Sequence, residues 1–459
     1  MKTLWPLVRS PIRLREVPML LTAAALIGLG AGAASALFLR LYEAVRFWPA
    51  DAGRTHLFSV TLTWPLLVVI PAVGGLLCGW IVQRFEPGAR GTGTPELLHA
   101  LRAKGPPLRA RYAAWKTLAS VFTTCSGGAA GPEAPMVTFG AGLAAWAGRR
   151  LKASAHTERV LTAAGAAAGF AAVFDAPVAG ASFALEVLLR EISPQALSAV
   201  LIAAAAGTAA ARRVLGDREF LRGAAAGASL RSPQELGFYL VLAAAAALFA
   251  KIFIETAIHI EKGFDRFIRS PAARAAIGGL LLGLLGLVLP QALGNSHADI
   301  PRLFSAEGVA PLASMGLLFL LLGKIVACPL TVGSGGSGGI FIPYLMMGAA
   351  LGGIAGRFVH AHFLWAAPPS AYMLVGMGAM FAAITLAPLT SIVLVLELTR
   401  NWDMALPLTV TVATAVAIAR AVEPESLDTR KLLKKGIRLR EPAGEWAVDS
   451  PAESLVHSA

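Results

Sequence analysis

Ser126-Gly127-Gly128-Ala129-Ala130-Gly131-Pro132-Glu133-Ala134-Pro135 sets one carboxylate inside a long apolar run. Between Lys116 and Arg149 no other side chain carries a formal charge. Burying such a group in hydrocarbon costs roughly 2.5 kcal/mol or more on insertion scales, so an intramembrane acid points to a polar cavity, a partner or a function. The glycines and the proline after them carry a second signal. Small residues followed by proline, with an apolar helical pattern beyond, mark a helix start.

The surrounding chain tells what kind of protein holds this start. Its 459 residues are 56% hydrophobic and 15% charged, against about 25% charged in soluble domains. Apolar stretches recur at roughly 16–42, 58–83, 117–148, 160–189, 195–211, 234–258, 274–294, 310–330, 339–356 and 371–422, each able to reach across part or all of a bilayer about 30 Å thick. The fold class expected is therefore an all-α polytopic membrane protein with broken helices. The net charge of +13 lies in short loops between spans, where it reads as a topology signal and not as a nucleic-acid surface. Cys78, Cys125 and Cys328 each sit within an apolar stretch and read as packing residues. The scattered histidines give no metal-ligand spacing, and no metal or cofactor is implied. The basic start, Met1 to Arg15, precedes a run too long for a cleaved signal, so a retained first helix is expected.

The Glu133 stretch has a mate in the second half. Gly131-x-x-x-Pro135, with Gly140, Gly148 and Arg149, recurs as Gly339-x-x-x-Pro343, with Gly348, Gly356 and Arg357, 208 residues on (339 − 131). Phe170 to Val178 leading to Glu186 likewise recurs as Phe381 to Leu389 leading to Glu397. Two blocks repeated in one order predict an internal duplication. Arg149-Arg150-Leu151-Lys152 follows the first block, while Phe358-Val359-His360-Ala361-His362 follows the second. That asymmetry predicts inverted repeats, 18–211 and 212–422, between a cytoplasmic segment 1–17 and a cytoplasmic tail 423–459. Basic loops at 102–116, including Lys104, and at 262–274 would share the cytoplasmic side with both termini, in the cell's inner (plasma) membrane.

Three Gly-rich breaks interrupt the apolar runs: Gly91-Thr92-Gly93-Thr94-Pro95, Gly127 to Pro135, and Gly333 to Pro343. Helix starts at membrane depth must line a polar cavity or be buried in protein. Their unpaired amides carry roughly half a positive charge and bind anions. Unlike a lysine, such partial charges hold an anion moderately and let it go. A carboxylate beside them competes for the same site until it is protonated and swings away, and Glu133 is placed to do so. Binding would come from backbone amides at the helix starts around Gly131–Ala134 and Gly339–Ile342. The competing class is a membrane-embedded enzyme with Glu133 as general acid or base, but no nucleophile–base pair accompanies it.

These three breaks resemble the filter motifs of the CLC family of chloride channels and proton-coupled chloride transporters: Gly-Ser-Gly-Ile-Pro, Gly-Arg-Glu-Gly-Pro and Gly-x-Phe-x-Pro. Here they stand at Gly91–Pro95, Gly131–Pro135 and Gly339–Pro343. The resemblance runs from about residue 18 to 436. It implies a homodimer of inverted-repeat subunits in the lipid bilayer, each with its own pathway for chloride or another small monovalent anion. It makes Glu133 the outer gate and places the amides of Ile340 and Phe341 and the hydroxyl of Thr92 on the central anion. The anion-binding set expected is Thr92, Gly93, Gly131, Ala134, Gly339, Ile340, Phe341, Ile342 and, at the inner gate where the family has a tyrosine, Leu427. Several positions depart from the pattern. Thr92 keeps a hydroxyl in place of serine. Pro132 replaces an arginine, and Ala134 replaces a glycine and restricts the backbone slightly. Val187 stands where proton-coupled members carry an inner glutamate, which favours weak or absent proton coupling. A proton-coupled chloride or fluoride antiporter is the second reading. Glu186 and Glu397, at equivalent places in the two halves, are expected to be structural.

Overall fold

The computed structural model describes residues 16–45, 55–57, 60–62, 64–102, 108–218, 221, 227–297, 299–304, 314–363 and 365–439. The N-terminal segment up to residue 15, Lys104 and the tail from residue 440 lie outside the described residues. The first half runs α1 Val17–Val45, α2 Trp64–Arg84, α3 Thr94–Arg102, α4 Ala110–Cys125, α5 Glu133–Arg150, α6 Ala155–Phe174, α7 Pro177–Phe183 and α8 Pro194–Leu215. The second half repeats the order as α9 Leu236–Phe267, α10 Pro271–Val288, α11 Asp299–Phe304, α12 Ser314–Gly333, α13 Phe341–His362, α14 Pro369–Thr385, α15 Pro388–Thr399 and α16 Ala405–Val422. A short helix, α17 Leu427–Lys434, follows. A small antiparallel hairpin, Thr55–Leu57 with Val60–Leu62, stands before α2.

Eight of the described helices are long and apolar enough to cross a membrane. The apolar runs 117–148, 160–189 and 371–422 do not form single helices: they divide into α4 and α5, α6 and α7, and α14 to α16. The breaks have a local cause. Asp175 and Leu386 end α6 and α14 in the left-handed conformation, φ +56° and +56°, and Pro177 and Pro388 open the next helices at their first turns. The two sites are 211 residues apart (386 − 175), so the duplication extends to backbone conformation.

Two sets of contacts show how the halves are joined, and a third shows how each half packs within itself. Gly131 N–H donates to Gly339 O at 2.7 Å, and Gly339 N–H returns the bond to Gly131 O at 2.8 Å. Equivalent residues exchanging reciprocal antiparallel bonds place a local two-fold axis between them. Second, Glu397 accepts from the amides of Val178 at 3.0 Å and Ala179 at 2.7 Å, capping α7. Glu186 accepts from the amides of Leu389 at 3.0 Å and Thr390 at 2.7 Å, capping α15. Each half thus supplies the acid that satisfies the other's exposed amides. Third, Gly140 with Gly165, and Gly348 with Gly376, let helices cross with backbones touching; a Cβ on any of them would strike the facing carbonyl.

Buried lysines obey the same symmetry. Lys116 Nζ donates to Ala89 O at 3.1 Å and to Gly91 O. Lys324 Nζ donates to Ala292 O, Leu293 O and Gly294 O at 3.0, 3.1 and 2.9 Å. Both side chains are fully buried, and they are 208 residues apart (324 − 116). Each ammonium ties down the loop ahead of a short helix, α3 or α11, by satisfying carbonyls that no helix pairs.

Candidate functional site

The three Gly-rich breaks meet at the centre of the molecule. Gly91 N–H donates to Gly336 O at 2.8 Å, and Gly338 N–H returns to Gly91 O at 3.2 Å. Gly91 and Gly93 hold φ of +72° and +80°, a conformation that turns the chain into α3 and that glycine adopts without strain. Threonines pin the other two loops crosswise: Ala129 N–H donates to Thr331 Oγ1 at 3.0 Å and Ser337 N–H to Thr123 Oγ1 at 3.1 Å. Ser120 and Ser337 share a hydroxyl bond of 2.8 Å. Side-chain acceptors replace the hydrogen bonds that helix would have supplied, so the loops are fixed at depth.

Into this crossing projects Glu133, the first residue of α5 and 0% exposed. Its Oε1 accepts from Phe341 N–H at 2.9 Å and from Ile342 N–H at 3.3 Å. These are first-turn amides of α13, whose N-cap is Ile340. Oε2 has no hydrogen-bond partner among the described residues. The carboxylate is wedged between Gly131 and Gly339, where a Cβ on either would overlap it. Negative charge is here held by amides and the helix terminus, with a carboxylate's second oxygen left over. Beneath it the Phe341 ring packs within 5.5–6.2 Å of Phe170, Phe183, Tyr344 and Phe381. Such aromatic walls exclude water and strengthen the electrostatics of the amide site.

Of the residues expected around an anion, Gly131, Ala134, Gly339, Ile340, Phe341 and Ile342 are all buried at this crossing. Phe341 and Ile342 carry the amides that bond Glu133. Thr92 and Gly93 enter from α3's start, with Thr92 only 5% exposed. Val187 is half-buried in a π-helical extension of α7, Ala184–Leu189, on the wall of a small cavity.

Leu427, the residue expected at the inner gate, opens α17. Its side chain is packed in the apolar core at 1% exposure. The group that meets the Thr92 hydroxyl is the next residue: Thr92 Oγ1 donates to Asp428 Oδ1 at 3.1 Å. Ser426 sets this phase, its Oγ accepting from Thr429 N–H at 3.3 Å to start α17. One step of helix turns Leu427 inward and Asp428 toward Thr92. An acid in the first turn after a serine N-cap is itself a helix-start signature, and it was the available signal. Lys324 is the second residue the sequence reading passed over; its spacing from Lys116 was the signal there.

Comparison with known proteins places this geometry. The family model described as "Voltage gated chloride channel" matches residues 74–420. A relative in Ralstonia nicotianae, whose name describes a ClcB-like chloride channel protein, is 31% identical over 428 residues, covering 90% of this chain and 97% of its own. The H(+)/Cl(-) exchange transporter ClcA of Yersinia pseudotuberculosis is 33% identical over 430 residues, covering 90% and 87%. The solved structure of a slow cyanobacterial Cl−/H+ antiporter superposes with a TM-score of 0.81 at 25% identity, covering 91% of this chain and 98% of the other. These relatives are named as channels and transporters, not enzymes.

Proposed function

The chain belongs to the CLC family of multi-pass anion channels and transporters, and from that premise we propose that it moves chloride or a similar small monovalent anion past a gate formed by Glu133. The observation that carries the gate is the carboxylate seated on the Phe341 and Ile342 amides. These amides suit any small anion, and the Glu133 carboxylate is the occupant that an entering anion has to displace. Protonation removes the charge that favours this seat and frees it. Thr92, Gly93, Gly131, Ala134, Gly339 and Ile340 complete the site's backbone and hydroxyl lining. Both termini face the cytoplasm, and two copies assemble in the bilayer, each with its own pathway.

Anion efflux from liposomes carrying the purified protein tests the transport claim, and flux no greater than from empty vesicles would sink it. Glu133→Gln tests the gate, since the amide is a fixed likeness of the neutral carboxyl. At neutral pH the variant should move chloride faster than wild type does at the same pH. Flux identical to wild type at both neutral and acid pH would remove Glu133 from the gate.

On coupling, two observations pull apart. Val187 at the inner position supports weak or absent proton exchange, while the relative in Yersinia pseudotuberculosis is named an exchanger. Recording pH alongside chloride flux separates the two. An exchanger drives protons uphill on a chloride gradient; a channel-like pathway does not.

A further inference from the structure

Glu133 is not the sole carboxylate on this path. Thr92 carries the hydroxyl assigned above to the anion, and in the structure that hydroxyl donates to Asp428. The bond joins residues 336 positions apart, from α3 to α17. Asp428 lies on the wall of the small cavity that Arg102, Glu186, Val187 and Arg190 also line. Thr92 lies on the wall of a second small cavity, with Glu96, Glu261, Lys431 and Lys435. The Thr92–Asp428 pair therefore sits at the partition between two cavities.

We propose that Asp428 is a second acid gate: while ionised it holds the Thr92 hydroxyl and repels anions from that site, and on protonation it releases both. The proposal rests on the anion pathway inferred above. A hydroxyl has one proton; spent on a carboxylate, it leaves only lone pairs for any other neighbour. An anion bonded to Thr92 would also lie beside a like charge, an arrangement that favours the neutral acid. A proton taken from the adjoining cavity onto Asp428 removes both obstacles at once. Val187 leaves the usual inner acid missing, and Asp428 supplies one from a different element.

The groups facing Asp428 shape this balance. Lys431 on its own helix attracts the ionised form but is itself ion-paired with Glu261 at 3.2 Å. Glu96 of α3 opposes the ionised form and is bonded to Lys435 at 3.1 Å. Tyr344 of α13 lies within electrostatic reach, and Arg102, Glu186 and Arg190 line the cavity it faces. Among these, the hydroxyl of Thr92 is the one that bonds the Asp428 carboxylate in the hydrogen bonds described.

Chloride binding measured by calorimetry in a Glu133→Ala background isolates this group, because the outer carboxylate is gone. Binding should tighten about tenfold from pH 7.5 to pH 5, the effect of about one unit of proton linkage. Adding Asp428→Asn should abolish that change and give the tighter affinity at both values. Thr92→Val in the same background supplies an independent arm: it should weaken binding at pH 5 and change it little at pH 7.5, where the hydroxyl is already committed. Affinity that does not change with pH, a pH change that survives Asp428→Asn, or an equal loss from Thr92→Val at both values would overturn the proposal. No chloride binding at all to Glu133→Ala would overturn the anion pathway itself, a different failure.

Discussion

Replacing Glu133 with alanine should tighten chloride binding, because the side chain and the anion compete for the same amides. The size of the effect follows from the bonds. The Phe341 amide donates to the carboxylate at 2.9 Å, a normal length, whereas the Ile342 bond at 3.3 Å is long and counts for little. One good hydrogen bond to a charged group contributes about 1.5–3 kcal/mol. At about 1.4 kcal/mol per tenfold, the seated carboxylate leaves the site open only about one part in ten to one in 150. Apparent affinity falls by that fraction, so Glu133→Ala should bind chloride about 10- to 150-fold more tightly than wild type at pH 7.5, by titration calorimetry in detergent. The gap should narrow at acid pH, where the wild-type carboxyl loses the charge that holds it. Equal affinities at pH 7.5, or a weaker variant, would refute the competition.

Other consequences follow from the same contacts. Wild-type chloride efflux from liposomes should rise as pH falls, because protonation neutralises the group that occupies the site; flux that falls on acidification contradicts the sign. Lys324→Met orphans three buried carbonyls, at about 1–3 kcal/mol each, and should lower the thermal midpoint sharply, as should Lys116→Met at the equivalent place. Glu186→Gln and Glu397→Gln each weaken a cap on the opposite half by about 1–2 kcal/mol. Their midpoints should drop alike, and a drop in only one would contradict the reciprocal capping.

Much of this was legible in the chain because duplication leaves matched residues at matched offsets. The spacing of Gly131 and Gly339 predicted that they were equivalent; the structure adds that they touch across the local axis. Glu186 and Glu397, expected to be structural from their paired positions, turn out to cap each other's partner helices. Single apolar runs hid helix breaks at Asp175 and Leu386, since a left-handed residue other than glycine has no clear composition signal. Asp428 escaped for another reason. It belongs to α17, which follows the two repeats and so has no mate to check against. Resemblance to a family marked the neighbourhood, but only the bond to Thr92 identifies the residue.

The most direct test of the central claim is to locate the anion. Crystals of the Glu133→Gln variant grown in bromide at neutral pH, with the ion placed by its anomalous signal, should show bromide on the amides of Phe341 and Ile342 and the substituted side chain turned away. A carboxamide still seated on those amides, with bromide elsewhere or absent, would contradict a gate that works by occupying the anion's own site.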